Sequence, residues 1–292
     1  MNIILLSGGS GKRLWPLSND IRSKQFIKIF KKSGQDIPEG MGAGNYESMI
    51  QRVYRQIKTV DTDATVTIAT SKSQVSAIHN QLGTDVGISV EPCRRDTFPA
   101  IALATAYLHD IQGISEAEAV VVCPVDPYVN SDYFDALKQL WELAKAGTSN
   151  LTLMGIAPNC PSEKYGYILP ASMDQVSKVL EFKEKPDAVT AQKYIDAGGL
   201  WNGGVFAYKL SYVLERAHEL IDFTGYQDLF NKYDTLTKIS FDYAVVEHEK
   251  NISVMRFGGQ WEDLGTWNTL TEAMDEAVIG DGRMDDICEK CT

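Results

Sequence analysis

Ile3-Ile4-Leu5-Leu6-Ser7-Gly8-Gly9-Ser10-Gly11-Lys12-Arg13-Leu14, with Lys24 a short way on, is the stretch that decides the fold. An apolar run of strand length stops in small residues, and two cations follow at once. Glycine and serine leave the backbone N–H groups of such a turn open to a phosphate, and Lys and Arg add charge. A plain tight turn would need neither cation, so the pattern predicts a buried strand ending at a phosphate.

Two better-known phosphate loops do not fit. A Walker A loop requires Gly, four residues, then Gly-Lys-Ser/Thr. Here Arg13 follows Gly11-Lys12, and Leu6 stands where the first Gly belongs. The dinucleotide fingerprint Gly-x-Gly-x-x-Gly fails because Leu14 occupies its last position. What remains is Gly-Gly-x-Gly-x-Arg-Leu, running on through Trp15-Pro16-Leu17-Ser18 to Lys24-Gln25-Phe26.

Outward from this turn, strand-like runs alternate with helical ones. Residues 3–7, 65–70, 87–91, 119–124 and 151–156 read as short buried strands. Residues 48–60, 72–82, 97–110 and 132–146 place apolar side chains at helical spacing, and Pro99 suits a first turn. The order predicts an α/β fold, a Rossmann-like three-layer α/β/α arrangement around a mostly parallel mixed sheet. After residue 157 the pattern changes. Residues 165–169 and 176–182 read as antiparallel strands, 190–197 and 212–219 as helices, 204–209 and 252–257 as strands, 241–248 and 266–278 as helices. Residues 34–44 lack periodicity and read as a loop. We expect one continuous domain over 1–279 with an inserted substrate subregion, and a frayed tail over 280–292.

Ligands of open α/β sheets sit at the carboxyl ends of the strands. Asp126 follows the strand ending at Pro124, and Asp263 follows the strand over 252–257. Two carboxylates beside a polyphosphate suit Mg²⁺, which is held by one or two carboxylates plus phosphate oxygens. Each Asp could equally cap the helix after it. Phe182-Lys183-Glu184-Lys185-Pro186 ends a strand with a carboxylate for hydroxyls and an ammonium for a phosphate, or with a solvated turn. Leu200-Trp201-Asn202-Gly203-Gly204 offers an amide that both donates and accepts, or a strand-entry turn.

Bulk properties narrow the class. A chain of 292 residues can bury a large core. A formal net charge of −11 disfavours a nucleic-acid polymer, which needs a basic face. No run approaches the roughly 18 apolar residues of a membrane span, and the N-terminus lacks a signal peptide's basic region and cleavage site, so a cytoplasmic location is expected. The five cysteines are scattered. Cys93, Cys123 and Cys160 read as inert thiols, and Cys288-x-x-Cys291 lacks a second ligand pair for zinc. The four histidines show no metal-ligand spacing.

In their order, these clusters resemble the sugar-1-phosphate nucleotidyltransferases, nearest their mannose-1-phosphate guanylyltransferase branch. Five features carry the resemblance: residues 7–18 with Lys24-Gln25-Phe26; Glu91-Pro92 with Thr97-Phe98-Pro99-Ala100; Pro124-Val125-Asp126; Phe182-Lys183-Glu184-Lys185-Pro186 with Trp201-Asn202-Gly203-Gly204; and Trp261-Glu262-Asp263-Leu264-Gly265. The resemblance implies that Leu6, Ser7, Gly8, Gly9, Gly11, Arg13, Lys24, Glu91 and Thr97 hold the nucleotide, and that Arg13, Lys24 and Asp126 are catalytic. It implies Mg²⁺ on Asp126 and Asp263. Gly166, Glu184, Lys185 and Asn202 would bind the sugar phosphate. GTP and mannose 1-phosphate are the implied substrates, without a membrane or a nucleic-acid polymer as partner, and a homodimer is left open. The pattern departs from the branch at Ser23, at Cys93-Arg94-Arg95-Asp96 and at Pro127. Another pairing of nucleotide and sugar phosphate, cytidylyl or uridylyl transfer among them, stays open. So does a non-catalytic nucleotide-binding subunit, which would be expected to lose Arg13, Lys24 or a metal-binding Asp. Since the chain ends soon after Trp267, a stand-alone catalytic domain is expected.

Overall fold

A computed structural model describes residues 1–8, 18, 23–31 and 46–263. From the N-terminus the order is β1 (Asn2–Ser7), a 3-10 turn (Lys24–Phe26), β2 (Phe30–Lys31), β3 (Tyr46–Glu47), α1 (Met49–Val60), β4 (Thr65–Ser71), α2 (Val75–Leu82), β5 (Gly87–Glu91), α3 (Thr97–Asp110), β6 (Ala119–Pro124), β7 (Pro127–Val129) and α4 (Asp132–Ala146). It continues with β8 (Leu151–Ile156), β9 (Tyr167–Pro170), β10 (Val176–Lys183), α5 (Ala188–Asp196), β11 (Leu200–Lys209), α6 (Leu210–Leu220), α7 (Tyr226–Lys232), a π turn (Asp242–Val246), β12 (Ile252–Phe257) and β13 (Trp261–Asp263).

One nine-stranded mixed sheet runs in the order β5-β4-β1-β6-β11-β8-β12-β10-β9. β5, β4, β1 and β6 are parallel, as the alternation of strands and helices predicts. β11 opposes both β6 and β8, β12 runs with β8, and β10 opposes β12 and β9. The chain leaves β1 toward β4 on one side and returns to β6 on the other. The carboxyl end of β1 is therefore a topological switch point, where crevices open in α/β sheets.

Alternation along β1 sends its side chains into two apolar cores. Ile3 and Leu5 join a cluster with Ile50, Val53 and Ile57 of α1 and Phe134, Leu137 and Leu140 of α4. Ile4 joins a different cluster with Ile101, Leu103 and Leu108 of α3 and Val213 and Leu214 of α6. The helix α3 is apolar on every side because α6 and α7 cover the face turned away from the sheet. A reciprocal cap starts α1: Ser48 Oγ accepts from Gln51 N–H at 3.3 Å, and Gln51 Oε1 accepts from Ser48 N–H at 3.2 Å. Helix α4 stops at Gly147, whose φ of 69° suits a residue without Cβ.

The decisive irregularity lies in β11. Its end pairs with β6 from Phe206 to Lys209, while its start pairs with β9 at Leu200 and Trp201. Between them the register against β8 shifts, between Asn202 and Phe206. The shift falls on Gly203-Gly204, with Gly204 at φ 69°. A bulge there bends the strand and re-aims the residues before it.

The structure corrects several sequence expectations. Leu200 to Asn202 lie inside β11 rather than in an entry turn. Asp126 does not cap a helix: β7 follows it and pairs with β13. The helix expected over 241–248 narrows to the π turn, and α7 has no counterpart in the sequence expectation. The expected loop over 34–44, the helix over 266–278 and the tail over 280–292 lie outside the described residues.

Gly204→Ala tests the bulge. Among the described residues no atom beyond its chain neighbours lies within 4 Å of the added Cβ, so the cost is one of backbone conformation. We expect a loss of about 1–2 kcal/mol in urea denaturation, the cost of a left-handed L-residue. An unchanged midpoint would mean that the bulge relaxes at no cost.

Candidate active site

A buried polar network lies at the carboxyl end of β1. Gln25 Nε2 donates to Ser7 Oγ at 3.2 Å and lies 3.4 Å from Ser7 O. Gln74 Oε1 accepts from Thr70 Oγ1 at 2.8 Å, and Gln74 Nε2 donates to Ser23 Oγ at 2.8 Å. All five residues are buried, with Gln25 the most exposed at 2%. Each unmade bond among them would carry the full desolvation penalty. The network holds the Lys24–Phe26 turn against β1. Lys24, the neighbour of Gln25, extends to Asp126, with Nζ 3.0 Å from Oδ2. Val125 N–H donates to Leu6 O at 3.2 Å and keeps Asp126 at the same strand end.

Glu91 comes to this end from β5. Its Oε1 lies 3.5 Å from where a Cβ on Gly8 would stand. Oε2 accepts from the Tyr233 hydroxyl at 2.8 Å. Burial pushes the Glu91 carboxyl above its usual range, and that hydrogen bond opposes the rise. Thr97 opens α3, and its Oγ1 accepts from Phe241 N–H at 2.8 Å. Asp96 caps the helix from a left-handed conformation, with φ 71° and Oδ1 2.9 Å from Thr97 N. Gly9, Gly11 and Arg13 lie outside the described residues.

The β7–β13 ladder sets the backbone of the second acidic position. Asp263 pairs in register with Pro127, beside Asp126 in the chain. Trp261 on the same strand meets the Tyr165 ring edge-on at 5.6 Å, and Tyr165 meets Trp201 at 4.8 Å. An aromatic wall thus runs from the Asp126 end to the start of β11. The donor set fits Mg²⁺ rather than a softer metal, because it offers a hard carboxylate with the backbone of a second acidic residue alongside. The Asp126 side chain is 39% exposed and so open to an incoming ion. No cluster of three or more His, Cys, Asp or Glu among the described residues could hold a metal alone. Cys123 is buried and its thiol is pushed up to about 12, whereas Cys160 is exposed.

All four residues expected at the sugar phosphate converge. Asn202 N–H donates to Gly166 O at 2.8 Å. A Cβ on Gly166 would stand 2.5 Å from Glu184 Oε2, so only glycine leaves room for that carboxylate. Glu184 is 6% exposed, and its Oε2 has no hydrogen-bond partner among the described residues. A buried carboxylate oxygen without a donor is a standing cost that a ligand hydroxyl removes. Its Oε1 pairs with Lys185 Nζ. Burial pulls the Lys185 ammonium down, but Glu184, Asp242 and Tyr243 together outweigh it and hold the pKa above its ordinary value. Lys185 itself takes φ 45°, an unusual conformation for a side-chain-bearing residue and one that recurs at functional sites.

Sequence reasoning misses Asp242, Tyr233, Gln74 and Thr70. Asp242 Oδ1 accepts from Asn202 Nδ2 at 2.6 Å. Burial, then the charge of Glu184, pushes its carboxyl up to about 6. The contacts Thr97–Phe241 and Asp242–Asn202 join the two halves of the crevice through adjacent residues. A π turn is a signal of function in a fold, and nothing in the sequence announces it. No helix among the described residues is long and apolar enough to cross a membrane.

The xanthan biosynthesis protein XanB of Xanthomonas campestris pv. campestris (strain B100) is 28% identical over 308 residues, covering 98% of this chain and 62% of the relative. A mannose-1-phosphate guanylyltransferase of Escherichia coli is 28% identical over 299 residues, covering 92% of this chain and 60% of its own length. This chain therefore spans about three fifths of those relatives. Among solved structures, a mannose-1-phosphate geranyltransferase from Thermus thermophilus superposes with a TM-score of 0.75 at 27% identity, over 93% of this chain and 78% of that one. The nucleotidyl transferase family pattern matches residues 2–278, and the chain belongs to that family.

Proposed function

We propose that this chain transfers a nucleotidyl group from a nucleoside triphosphate to a sugar 1-phosphate and releases pyrophosphate. GTP and mannose 1-phosphate are its preferred pair. The observation that carries the reading is the buried Oε2 of Glu184 beside Gly166, unpartnered among the described residues, with the Lys185 ammonium on the other oxygen. A carboxylate oxygen that lacks a donor, next to a cation, suits a ligand with hydroxyls and a phosphate. The names of relatives such as the Escherichia coli guanylyltransferase support the base and the sugar. The two apolar cores support a Rossmann-like three-layer reading of the fold.

In this reading the sugar-phosphate oxygen attacks the α-phosphorus in line, forming a new P–O bond as the bond to pyrophosphate breaks. A phosphate monoester is already anionic near neutral pH, so no general base is needed. Catalysis is positioning plus charge stabilisation. Lys24 leaves Asp126 for the α-phosphate, Arg13 holds the departing pyrophosphate, and Lys185 keeps the attacking anion close despite like-charge repulsion. The turn over Leu6, Ser7, Gly8, Gly9 and Gly11 takes the nucleotide phosphates, flanked by Glu91 and Thr97. Glu184, Asn202 and the Gly166 backbone take the sugar hydroxyls. Asp126 and Asp263 would hold Mg²⁺, which neutralises phosphate charge when bound.

Pyrophosphate release from a panel of nucleotides and sugar 1-phosphates tests the substrates. A guanine site built on hydrogen bonds leaves polar groups unpaired with any other base. We expect GTP to exceed ATP, CTP and UTP by at least about tenfold in kcat/KM. Parity, or preference for another nucleotide, would remove the guanylyl assignment and leave the transfer chemistry standing.

Activity is expected to require Mg²⁺. Asp126→Asn and Asp263→Asn should each lower kcat by about two orders of magnitude, comparable to losing one electrostatic stabiliser. Full turnover in both variants at saturating Mg²⁺ would rule the metal assignment out.

Lys185→Ala should weaken sugar-phosphate use by roughly 10- to 150-fold, the range of one charge-assisted contact. Calorimetry with nucleotide alone should show little change. An equal loss of nucleotide affinity would move Lys185 to the other half of the crevice.

A further inference from the structure

Asp242 contributes a polar contact that the proposed chemistry leaves unused. Its Oδ1 accepts from Asn202 Nδ2 at 2.6 Å, while Asn202 Oδ1 accepts from Gly204 N–H at 3.1 Å. An amide between one acceptor and one donor has a single good orientation, because the flipped form would set oxygen against carboxylate and NH₂ against N–H. The backbone bond from Asn202 N–H to Gly166 O fixes the same residue from a third side. Only one Nδ2 hydrogen and the remaining lone pair of Oδ1 are then left for a ligand.

The surrounding charges are lopsided. Glu184 and Lys185 face Asp242 from the end of β10, Asn202 from β11, and Tyr243 adjoins it in the π turn. Glu247, at the end of the same turn, takes Glu184 N–H at 3.4 Å. Three carboxylates and one ammonium make the cluster net negative when all are ionised. An anionic sugar phosphate entering it does better when one carboxyl is neutral.

We propose that Asp242 is the positioning residue of the sugar-phosphate half of the crevice, orienting the Asn202 amide toward the sugar and giving up its charge when the phosphate enters. The proposal rests on the transfer reading above. Asp242 acts through the Asn202 amide, so it is a positioning residue and not a catalytic one. Burial and the Glu184 charge already push its carboxyl toward neutrality, up to about 6.

The test varies the sugar 1-phosphate at saturating nucleotide, from about pH 6 to about pH 8.5 in roughly half-unit steps. It compares the wild type with Asp242→Ala and Asp242→Asn. Asp242→Ala frees the amide and should raise KM for the sugar phosphate about tenfold or more, with KM for the nucleotide within about twofold. Asp242→Asn keeps an acceptor for Asn202 Nδ2 without the charge. Its KM for the sugar phosphate near the alkaline end should equal or fall below that of the wild type. Its pH profile should retain only the ionisation of the phosphate itself, whose second pKa is about 6. A tenfold rise in Asp242→Asn, or equal rises in both KM values in Asp242→Ala, would overturn the proposal. Asp242→Asn is nearly isosteric and carries the test if Asp242→Ala does not fold, which circular dichroism reads directly. Absence of turnover by the wild type with every substrate pair would overturn the transfer reading and this inference with it. Wild-type turnover with unaltered Asp242→Ala kinetics would overturn this inference alone.

Discussion

The bend in β11 is the constraint on which the crevice depends. One strand must serve β6 at its end and β9 at its start. The two pairings fall on either side of the register shift against β8. The register shift at Gly203-Gly204 permits the turn, and Asn202 stands at its lip. From there the contacts fan out. Asn202 N–H reaches Gly166, Gly166 leaves space for Glu184, and Asn202 Nδ2 reaches Asp242. The half of the crevice proposed for the sugar phosphate is therefore a product of strand pairing before it is a product of side chains. Backbone hydrogen bonds place it, which is a more rigid support than loops alone would offer.

The chain carries 39 acidic and 28 basic residues, yet its proposed substrates are anions. The contradiction dissolves at the scale of the site. Lys24 and Lys185 each lie against one carboxylate, Asp126 and Glu184. Such pairing keeps a cation in place when no phosphate is present and limits the cost of holding it partly out of water. Coulomb interactions beyond about 8–10 Å are largely screened at physiological salt, so distant surface acids count for little inside the crevice. The two ammonium–carboxylate pairs thus matter more to an incoming phosphate than the net charge does.

Much of this is legible in the sequence. The strand ending at Ser7 and the alternation up to residue 156 follow from periodicity and turn chemistry, and the order of the motifs groups Glu184, Lys185 and Asn202. The failures have physical causes. Leu200-Trp201-Asn202 reads as a turn because Gly-Gly normally breaks a strand, whereas here the pair forms a bulge within one. Asp126 is compatible with helix capping because a three-residue strand has too little pattern to announce itself. Gln74 and Thr70 matter through buried hydrogen bonds, and those of Gln74 reach as far along the chain as Ser23. Asp242 is invisible for the same reason: its partner Asn202 is brought near by tertiary structure alone. Local pattern reports which face a residue turns to the core, and not which polar group it will meet there.

The two halves of the crevice are mechanically tied. Thr97 begins α3 on the proposed nucleotide side and binds Phe241 N–H through its hydroxyl. The next residue, Asp242, binds Asn202 on the proposed sugar side. Further stitches run alongside, from Phe98 N–H to Ile239 O at 3.2 Å and from Ile239 N–H to Arg95 O at 3.3 Å. Phe241 is fully buried and packs on Phe206 of β11, with ring centroids 4.8 Å apart. A displacement of the α3 start is therefore passed to Asp242 through a short run of backbone with little freedom to absorb it. In-line transfer requires the attacking oxygen and the α-phosphorus to meet within a few tenths of an ångström, and small misplacements cost rate steeply. A rigid strap between the segments proposed to flank the two substrates meets that requirement in a way that independent loops would not.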